Sequence, residues 1–515
     1  MAVPLPSPAQ AAVVASIVIV GTYLYSKLYY HRFKLNAHIP QLPSSLLFGH
    51  LIAFDAFTKK GVLDRHPDVI FSEMHQAAGK PPVMLLDNWP IVPPMAIVAN
   101  HEVAEQVSKP SPLFQYSAPK SQSLARVVDL IGPKTILLKQ NDDWKQVRRR
   151  FNPGFAPQHL MTLLPLILDK ASLYFGILDE LAKSDKPISL DGATTNLTFD
   201  IIGAVTMGVD MNAQHLDPSQ QGEMVVMYKQ LIKTFADDKL QLPWWLIPRV
   251  HLQRRRLGAK ISAQLQDIVR ESFANMKAGS ETTGSRSILS LSLKDVDTLT
   301  QDILDETCDQ LKTFLFAGHD TTSTTITWMV YELSRTPHAL KKVREELDRL
   351  FGPGRAGDPT FVRQKLLEPG GDALINQMVY ISAVLKEVLR LYAPAGTIRY
   401  SNPGTGFVLK TSQGDYNVDG NWIYLNHRMI HLDPGVYGDT AEQFVPERWL
   451  QPEGLPASAW RPFERGPRNC IGQELANIEA RIIIAMLISR YDFTKTIQIS
   501  GKPVDGMMVK IKMAS

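Results

Sequence analysis

The chain has 515 residues, of which 44% are hydrophobic, and its formal net charge at pH 7 is only +4. This near-neutral balance gives no support for a nucleic-acid partner, and two cysteines cannot build a disulfide framework. Length alone would favour about three domains. Because no low-complexity linker follows residue 50, we instead predict one large domain with a substantial core.

The first 26 residues carry no charged side chain, and residues 11–25 are almost wholly apolar. About 20 such residues can span a bilayer, and positive flanking residues stay on the cytosolic side. Lys27, His31, Arg32 and Lys34 follow the apolar run, whereas a secretory signal peptide carries its charge in front. We therefore predict residues 1–34 as a single-pass membrane anchor with its basic flank, 35–50 as a proline-containing hinge, and 51–515 as a cytosolic catalytic domain.

Residues 71–150 predict a small sheet followed by helices. The apolar runs 83–86 and 94–98 lie between turn residues and indicate strands, and residues 101–107 indicate a helix. A further helix is expected to begin with Asp142 or Asp143 as its N-cap. Trp144 and Arg148 are four residues apart, so they share one face of this helix.

Helical patterns continue through residues 160–182, 197–209 and 301–333. Between them, the proline-broken aromatic segment 241–248 is either a core loop or a loop that touches substrate or membrane. Residues 301–333 form the longest helical pattern and contain the run Ala317-Gly318-His319-Asp320-Thr321-Thr322. Such residues are poor helix formers, which indicates a functional site in the middle of the helix.

Small side chains at Ala317 and Gly318 would let this helix lie close over a flat cofactor. A threonine hydroxyl at position 321 can bond to the carbonyl four residues earlier and open a local groove. His319 is interpreted as a polar neighbour and not as a metal ligand.

Glu387 and Arg390 form an i,i+3 pair whose flanking residues are apolar, which favours burial over a solvated surface bridge. Arg399 lies nine residues after Arg390.

Cys470 lies in a glycine-punctuated loop that leads into an apolar helical run. Backbone N–H groups and the positive helix end are expected to lower the pKa of its thiol. One thiolate without Cys or His partners at zinc spacing cannot form a tetrahedral zinc site, but it can serve as the single protein ligand of a haem iron. A lone cysteine is more often a buried structural residue. Cys308 is interpreted in that way, in a reducing compartment.

The cysteine loop resembles the haem-binding loop of the cytochromes P450, whose pattern is F-x-x-G-x-R-x-C-x-G. All five fixed positions match: Phe463, Gly466, Arg468, Cys470 and Gly472. Three further patterns of the family occur in the same order along residues 144–472: W-x-x-x-R, A-G-x-D-T-T and E-x-x-R. With its anchor, the chain resembles a microsomal member of the family, of the fungal secondary-metabolism type.

The resemblance implies a mainly helical fold with a small β region, preceded by one transmembrane helix, and b-type haem with Cys470 as the axial iron ligand. It also assigns roles to the remaining residues. Asp320 and Thr321 relay protons, and Glu387, Arg390 and Arg448 hold the cysteine loop. The expected cofactor-binding residues are Trp144, Arg148, Ala317, Gly318, Arg399, Phe463, Gly466, Arg468 and Gly472. Trp449, where the family usually has Phe, should change only packing.

The implied activity is insertion of one oxygen atom of O2 into a lipophilic small molecule such as a polyketide or terpenoid. Electrons would come from NADPH through a flavoprotein reductase, with cytochrome b5 as an optional donor, at the endoplasmic-reticulum membrane. The expected pocket segments are 111–130, 244–245, 314–321, 394–398 and 504–509. A reductase-docking patch is expected from Lys145 and Arg149 on one helix and Arg461 and Arg465 beside the cysteine loop.

Two alternatives stay open. One is a haem-thiolate isomerase or dehydratase that rearranges a peroxide without O2 or reductase, although such enzymes tend to lose the acid–alcohol pair found at residues 320–321. The other is a membrane-anchored haem carrier or gas sensor without turnover.

Overall fold

The computed structural model describes residues 7–61, 65–89, 91–184, 187–215, 217–238, 245–279, 287–451, 453–495 and 507–514. Within these ranges the helices are α1 (Pro8–Phe33), α2 (Leu51–Thr58), α3 (Pro67–Ala77), α4 (His101–Ser108), α5 (Val128–Ile131), α6 (Asn141–Phe151), α7 (Pro157–Thr162), α8 (Leu164–Ala182), α9 (Leu190–Met207), α10 (Glu223–Asp237), α11 (Pro248–Lys277), α12 (Ile288–Leu293), α13 (Gln301–Arg335), α14 (Pro337–Phe351), α15 (Pro359–Leu367), α16 (Ala373–Gln377), α17 (Val379–Leu391), α18 (His427–His431), α19 (Pro434–Tyr437) and α20 (Gln473–Arg490).

Among the described residues the β-structure is small and is divided among three sheets. Its strands are β1 (Val83–Leu86), β2 (Met95–Val98), β3 (Ile188–Ser189), β4 (Thr397–Tyr400), β5 (Val408–Thr411), β6 (Gly414–Asn417), β7 (Trp422–Leu425), β8 (Tyr491–Lys495) and β9 (Met508–Met513). A four-stranded sheet has the order β1-β2-β7-β4, in which only β2 and β7 are parallel. A three-stranded sheet has the order β3-β9-β8, and β5 pairs with β6. The predicted fold class, mainly α with a small β region, is confirmed.

Helix α13 is the centre of the helical part and packs against α9, α11, α17 and α20. It is buried along most of its length although many of its residues are polar. Threonine hydroxyls make this burial possible by donating to carbonyls four residues earlier, as Thr325 does to Thr321 and Thr327 to Ser323. The polar groups are thereby satisfied inside the helix.

The predicted strands at 83–86 and 94–98 and the helix at 101–107 are confirmed within a residue or two. The predicted N-cap of α6 is wrong. The helix begins at Asn141 with Gln140 in the N-cap position, and both Asp142 and Asp143 lie in the first turn. There their carboxylates face the positive end of the helix without capping it.

Helix α1 is one continuous helix of 26 residues, and by length and apolar composition it could cross a membrane. The last turn of α1 contacts the catalytic domain. Arg32 is buried and forms an ion pair with Asp87 at 2.7 Å, and its guanidinium donates to the carbonyls of Leu46 and Leu47. Arg32 is therefore not part of a solvated basic flank as the sequence indicated.

Residues 35–50, predicted as a hinge, pack closely on the four-stranded sheet. Ile39 is 1% exposed, and Gln41 forms a bridge with Leu85 beside strand β1. The side-chain amides of Asn36 and Asn421 bond to each other in the interior. These contacts join the segment to the catalytic domain.

Candidate active site

One cavity brings together the sequence motifs that lie far apart in the chain. Its lining comes from the cysteine loop (462–472), from α13 between Phe314 and Thr325, from Trp144 and Arg148 of α6, and from residues 394–397 before β4. Of the other expected pocket segments, 111–130 contributes Lys120. Residues 241–244 and 504–506 lie outside the described residues, and Trp245 is 63% exposed at the surface.

The cysteine loop is a tight turn that needs glycine. The Cys470 N–H donates to the Phe463 carbonyl at 2.9 Å, which closes the loop. Gly466 has φ +76°, and a Cβ there would lie 2.0 Å from the Ser108 carbonyl oxygen of α4. Only glycine tolerates this backbone conformation together with such a close approach. Gly472 occupies the N-cap position of α20, so the loop runs directly into that helix.

The thiol of Cys470 faces the cavity, and its electrostatics differ from the prediction. Burial raises the pKa of this thiol, whereas the Gly472 N–H and the charges of Arg148 and Lys120 oppose that rise. Helix-end and cationic effects were expected to dominate, but desolvation is larger here. A thiolate at this position therefore depends on a further positive partner in the cavity. Cys308 lies in the core, where burial raises its pKa to about 12.

Helix α13 contributes an apolar wall and several threonines, among them Thr321. Ala317, Gly318 and Thr321 line the cavity, and the Thr321 hydroxyl donates to the Ala317 carbonyl at 2.8 Å. Gly318 also admits Ile202 of α9, whose Cδ1 would lie 2.8 Å from a Cβ at this position. The small residue therefore serves helix packing as well as the cavity.

Asp320 points away from the cavity lining, toward the side of α10. Burial raises the pKa of Tyr228 on that helix well above its usual value, and the charge of Asp320 adds to the rise. His319 is buried against Phe199 and Tyr228, and its Nδ1 donates to the Leu315 carbonyl. It has no role as a cavity ligand.

The edge of the cavity is cationic. Arg148 donates to the carbonyl and side-chain oxygens of Asn469, at 2.7 and 3.1 Å. Arg468 donates to the carbonyls of Ile136 and Lys139 and stacks over Trp144, with its Cζ 5.1 Å from the ring centroid. Burial lowers the pKa of Arg468 to about 9, and its cationic neighbours add to the effect.

Arg399 is not part of the cavity lining. It donates to Glu464 at 2.8 Å and to Ser117 and Ala118, and it is completely buried. Although burial alone raises the pKa of Glu464, the charges of Arg399 and Arg461 lower it well below its usual range. Arg399 therefore reaches the cavity through Glu464, which does line it.

Lys120 lines the cavity and was not found from the sequence. Its backbone forms a bridge with Arg399 at the start of the sheet, which brings its ammonium beside the cysteine loop. Burial, with the charge of Arg399, lowers its pKa to about 7. The sequence around a single lysine in a polar loop does not indicate that it lines a cavity. Its position becomes clear only from the pairing of Lys120 with β4. Glu479 of α20 also lines the cavity, and burial raises its pKa to about 8.

These residues fit a haem. The cavity offers one thiol as an axial ligand, an apolar wall for a flat ring, and several cations for carboxylates. The buried Nε of the cavity-lining Arg468 has no partner among the described residues, as expected where a ligand completes the hydrogen bonding. A net excess of buried positive charge is costly unless anions balance it.

Glu387, Arg390 and Arg448 form a buried cluster behind the site. Arg390 binds both oxygens of Glu387 at 2.7 and 2.8 Å, and Arg448 binds one at 3.0 Å. The Trp449 indole N–H donates to the second oxygen at 2.9 Å. The expectation that Trp449 changes only packing is therefore wrong, because phenylalanine could not make this hydrogen bond.

Comparison with known proteins identifies the family. The sequence model described as Cytochrome P450 matches residues 40–512. Cytochrome P450 monooxygenase acrF of Aspergillus aculeatus is 29% identical over 460 residues, 84% of this chain and 89% of that protein. Cytochrome P450 monooxygenase polC of Polytolypa hystricis is 29% identical over 513 residues, 92% and 85% respectively.

A bifunctional cytochrome P450/NADPH–P450 reductase of Gibberella moniliformis is 29% identical over 327 residues, which are 60% of this chain and 26% of that protein. The family match covers residues 40–512, and three of the four family motifs contribute residues to the cavity. The chain therefore belongs to the cytochrome P450 family of monooxygenases.

Proposed function

We propose that the protein binds haem b through Cys470 and inserts one oxygen atom of O2 into a lipophilic small molecule. The observation that carries this proposal is the single cavity in which one thiol, an apolar wall and a cationic edge meet. When bound, a thiolate-ligated haem supplies O2 activation. The protein supplies binding, orientation and protons.

Each group around the cavity has a part in holding the cofactor. Phe463, Gly466 and Gly472 shape the loop that presents the Cys470 sulfur. The haem carboxylates would bind the cationic edge, and Arg399 would act through Glu464. That edge consists of Trp144, Arg148, Arg468 and Lys120.

Thr321 is the hydroxyl best placed to donate a proton inside the cavity. Its hydroxyl donates to the Ala317 carbonyl, which fixes its orientation. The Thr321 oxygen can then accept a proton from one hydrogen-bond partner while the hydroxyl gives its own proton to another. Asp320 would supply protons from the opposite side of α13, where it lies near the α10 helix. The apolar wall around these groups keeps bulk water out.

The substrate is proposed to be a lipophilic secondary metabolite such as a polyketide or terpenoid. The wall that faces Thr321 is built from apolar side chains, which fit a hydrocarbon skeleton better than a charged molecule. Phe314, Ile202, Leu385 and Leu389 are among the lining residues.

Electrons are proposed to come from NADPH through a flavoprotein reductase, with the catalytic domain in the cytosol and α1 in the endoplasmic-reticulum membrane. Lys145 and Arg149 are exposed on α6, as a docking surface for an acidic flavin domain requires. Arg461 cannot take part, since it is buried against Glu464, and Arg465 is paired with Glu105. The patch is smaller than the sequence indicated.

The test is turnover of a bound lipophilic substrate by the membrane protein with reductase and NADPH. Thr321→Ala should keep haem and substrate binding but release more hydrogen peroxide per NADPH oxidised. Thr327→Val, which removes a buried hydroxyl of the same helix away from the cavity lining, is the control and should stay coupled. Rearrangement of a peroxide substrate without NADPH or reductase, with no product in the NADPH-dependent assay, would favour the isomerase, and haem without any turnover would favour the carrier.

A further inference from the structure

Two stacked histidines lie between the four-stranded sheet and the cavity. His427 is the first residue of α18, is 2% exposed, and its Nδ1 donates to the Ala395 carbonyl at 2.9 Å. Its ring stacks on that of His431, with the centroids 5.6 Å apart and the planes at 19°. The side-chain Oδ1 of Asn426 accepts from the Met429 N–H and caps the helix, which fixes the position of His427 at its start.

The two rings differ in how their second nitrogen is used. His431 donates from Nδ1 to the Arg390 carbonyl, and its Nε2 accepts the Arg461 N–H at 3.0 Å. The Nε2 of His427 is buried and has no hydrogen-bond partner in the part of the chain that the structure describes, although the ring lines the cavity. A buried ring nitrogen of this kind calls for a ligand atom.

We propose that Nε2 of His427 forms a hydrogen bond with a carboxylate of the haem. This inference rests on the proposed function. His427 shares the cavity edge with Lys120 and Arg468, the cations suited to a carboxylate, whereas the charge of neighbouring Glu464 is already balanced by Arg399 and Arg461. Because Nδ1 already carries the proton that it donates to the Ala395 carbonyl, the bond takes up one proton from water, and this proton lies either on Nε2 or on the carboxyl group.

His427 would thus be a haem-binding residue that lies outside the family motifs. A polar oxygen of the substrate is the competing partner for the same nitrogen, because the cavity also accommodates substrate. The two differ in what depends on the histidine: retention of haem in the first case and affinity for substrate in the second.

The experiment measures the rate at which the holoprotein transfers haem to apomyoglobin. His427→Phe should release haem about 10-fold faster, the effect expected for one hydrogen bond to a charged group. His427→Gln, which keeps a hydrogen-bonding nitrogen and oxygen, should stay within about threefold of the wild type. His75→Phe, a histidine on α3 away from the cavity lining, is the control.

Unchanged haem release in His427→Phe overturns the proposal, and so does equally fast release by the Gln and Phe variants, which would mean that the ring only packs. A weaker spectral affinity for substrate with unchanged haem release assigns the nitrogen to substrate and also overturns it. The haem content of the wild type is measured first. Its absence would contradict the proposed function itself.

A second inference comes from the joint between α1 and the domain, defined here as His31, Arg32, Gly49, Asp87 and Trp89. The His31 ring stacks on Trp89, with centroids 5.1 Å apart and planes at 1°. Gly49 has φ +54°, and a Cβ there would lie 2.4 Å from Arg32 Nη1 and 2.2 Å from the Asp87 carbonyl oxygen. The Arg32 side chain and the Asp87 backbone therefore pack directly against the backbone of Gly49.

Arg32 belongs to the same continuous helix as the candidate membrane span. Because both ends of its ion pair are buried, moving the helix would expose or unpair a charge. We infer that the joint holds the catalytic domain at one tilt to the membrane, in place of a flexible spacer.

The test uses the full chain in oriented bilayers, with the haem tilt read by polarised absorption and exchange of the backbone N–H groups of residues 45–50 read by mass spectrometry. Arg32→Gln should broaden the tilt distribution and speed exchange about 10-fold or more. Lys34→Gln makes the same charge change at an exposed position of the helix end and should change neither.

An unchanged tilt distribution in folded Arg32→Gln overturns the inference. If that variant does not fold, His31→Ala removes only the ring stack and decides the question in its place. Broader tilt and faster exchange in His31→Ala support the joint, whereas wild-type values of both overturn it.

Discussion

The protein buries two groups of charged side chains, and they differ in how fully their hydrogen bonds are satisfied. Around Glu387, both carboxylate oxygens accept from arginines and from the Trp449 indole, and the arginines donate onward to backbone carbonyls. At the cavity edge, Arg468 keeps its Nε without a partner among the described residues, and Lys120 has a pKa of about 7.

This difference distinguishes charged groups that stabilise the fold from charged groups that bind a ligand. A closed network of charges satisfies itself, so it fixes one arrangement of the chain and needs no ligand. A group with cations in excess and open donors is incomplete until an anion binds. By this criterion the Glu387 cluster is scaffold, and the edge formed by Arg148, Arg468 and Lys120 is a binding surface.

Breaking the closed network should have the largest effect. Glu387→Gln leaves Arg390 buried without its counter-charge, which should cost about 3–5 kcal/mol of unfolding free energy. We expect a large loss of folded, haem-containing protein, measured as holoprotein yield and melting temperature. The control is Glu345→Gln, an exposed glutamate on α14. Equal melting temperatures for the two variants would show that the cluster is not the scaffold described here.

Changing the open group should affect the cofactor more than the fold. Lys120→Met removes one cation from the cavity edge, and we expect about 10-fold faster haem release, equivalent to about 1.4 kcal/mol. Lys120→Arg keeps the charge and should release haem near the wild-type rate. Wild-type release in Lys120→Met would remove this lysine from the cofactor site.

Lys120 also predicts the direction in which haem affinity changes with pH. Its pKa is about 7 in the protein alone, and a bound carboxylate raises it. Its contribution to haem affinity is therefore complete below pH 7 and is lost as the pH rises through the higher value of the loaded protein. Haem release from the wild type should speed up above pH 7, and Lys120→Met should lack this component.

The sequence predicted the motif residues better than their surroundings. Cys470, Arg468 and Gly466 are recognisable because loop geometry and ligand chemistry restrict which residues fit, and Thr321 because its hydroxyl must face the cavity. Lys120 was not predictable, since its place depends on a strand pairing across 279 residues of sequence. The same holds for Arg399, whose partner Glu464 occupies a variable position of the loop pattern.

The prediction for the Cys470 thiol failed because burial decides it. The pKa of Cys470 is raised because desolvation outweighs the helix end, and sequence gives no measure of burial depth. The contacts of residues 32–50 were likewise not predictable, since the partner of Arg32 and the sheet that covers Ile39 come later in the chain.

The smallest expected effect on stability concerns Trp449. Trp449→Phe restores the residue usual in the family and removes one hydrogen bond to Glu387, which should cost about 1–2 kcal/mol of stability without altering haem spectra. Trp460→Phe, which removes a bond to a backbone carbonyl, is the control and should cost less. Equal melting temperatures for Trp449→Phe and the wild type would mean that the indole bond adds nothing to the network.

The most direct test of the whole account is the absorption spectrum of the reduced, CO-bound protein. The wild type should show the red-shifted band that thiolate ligation gives, and Cys308→Ser should keep it because Cys308 lies in the core away from the cavity lining. Cys470→Ser should lose the band while the protein remains folded. A normal red-shifted band in Cys470→Ser would contradict the assignment of Cys470 as the haem ligand.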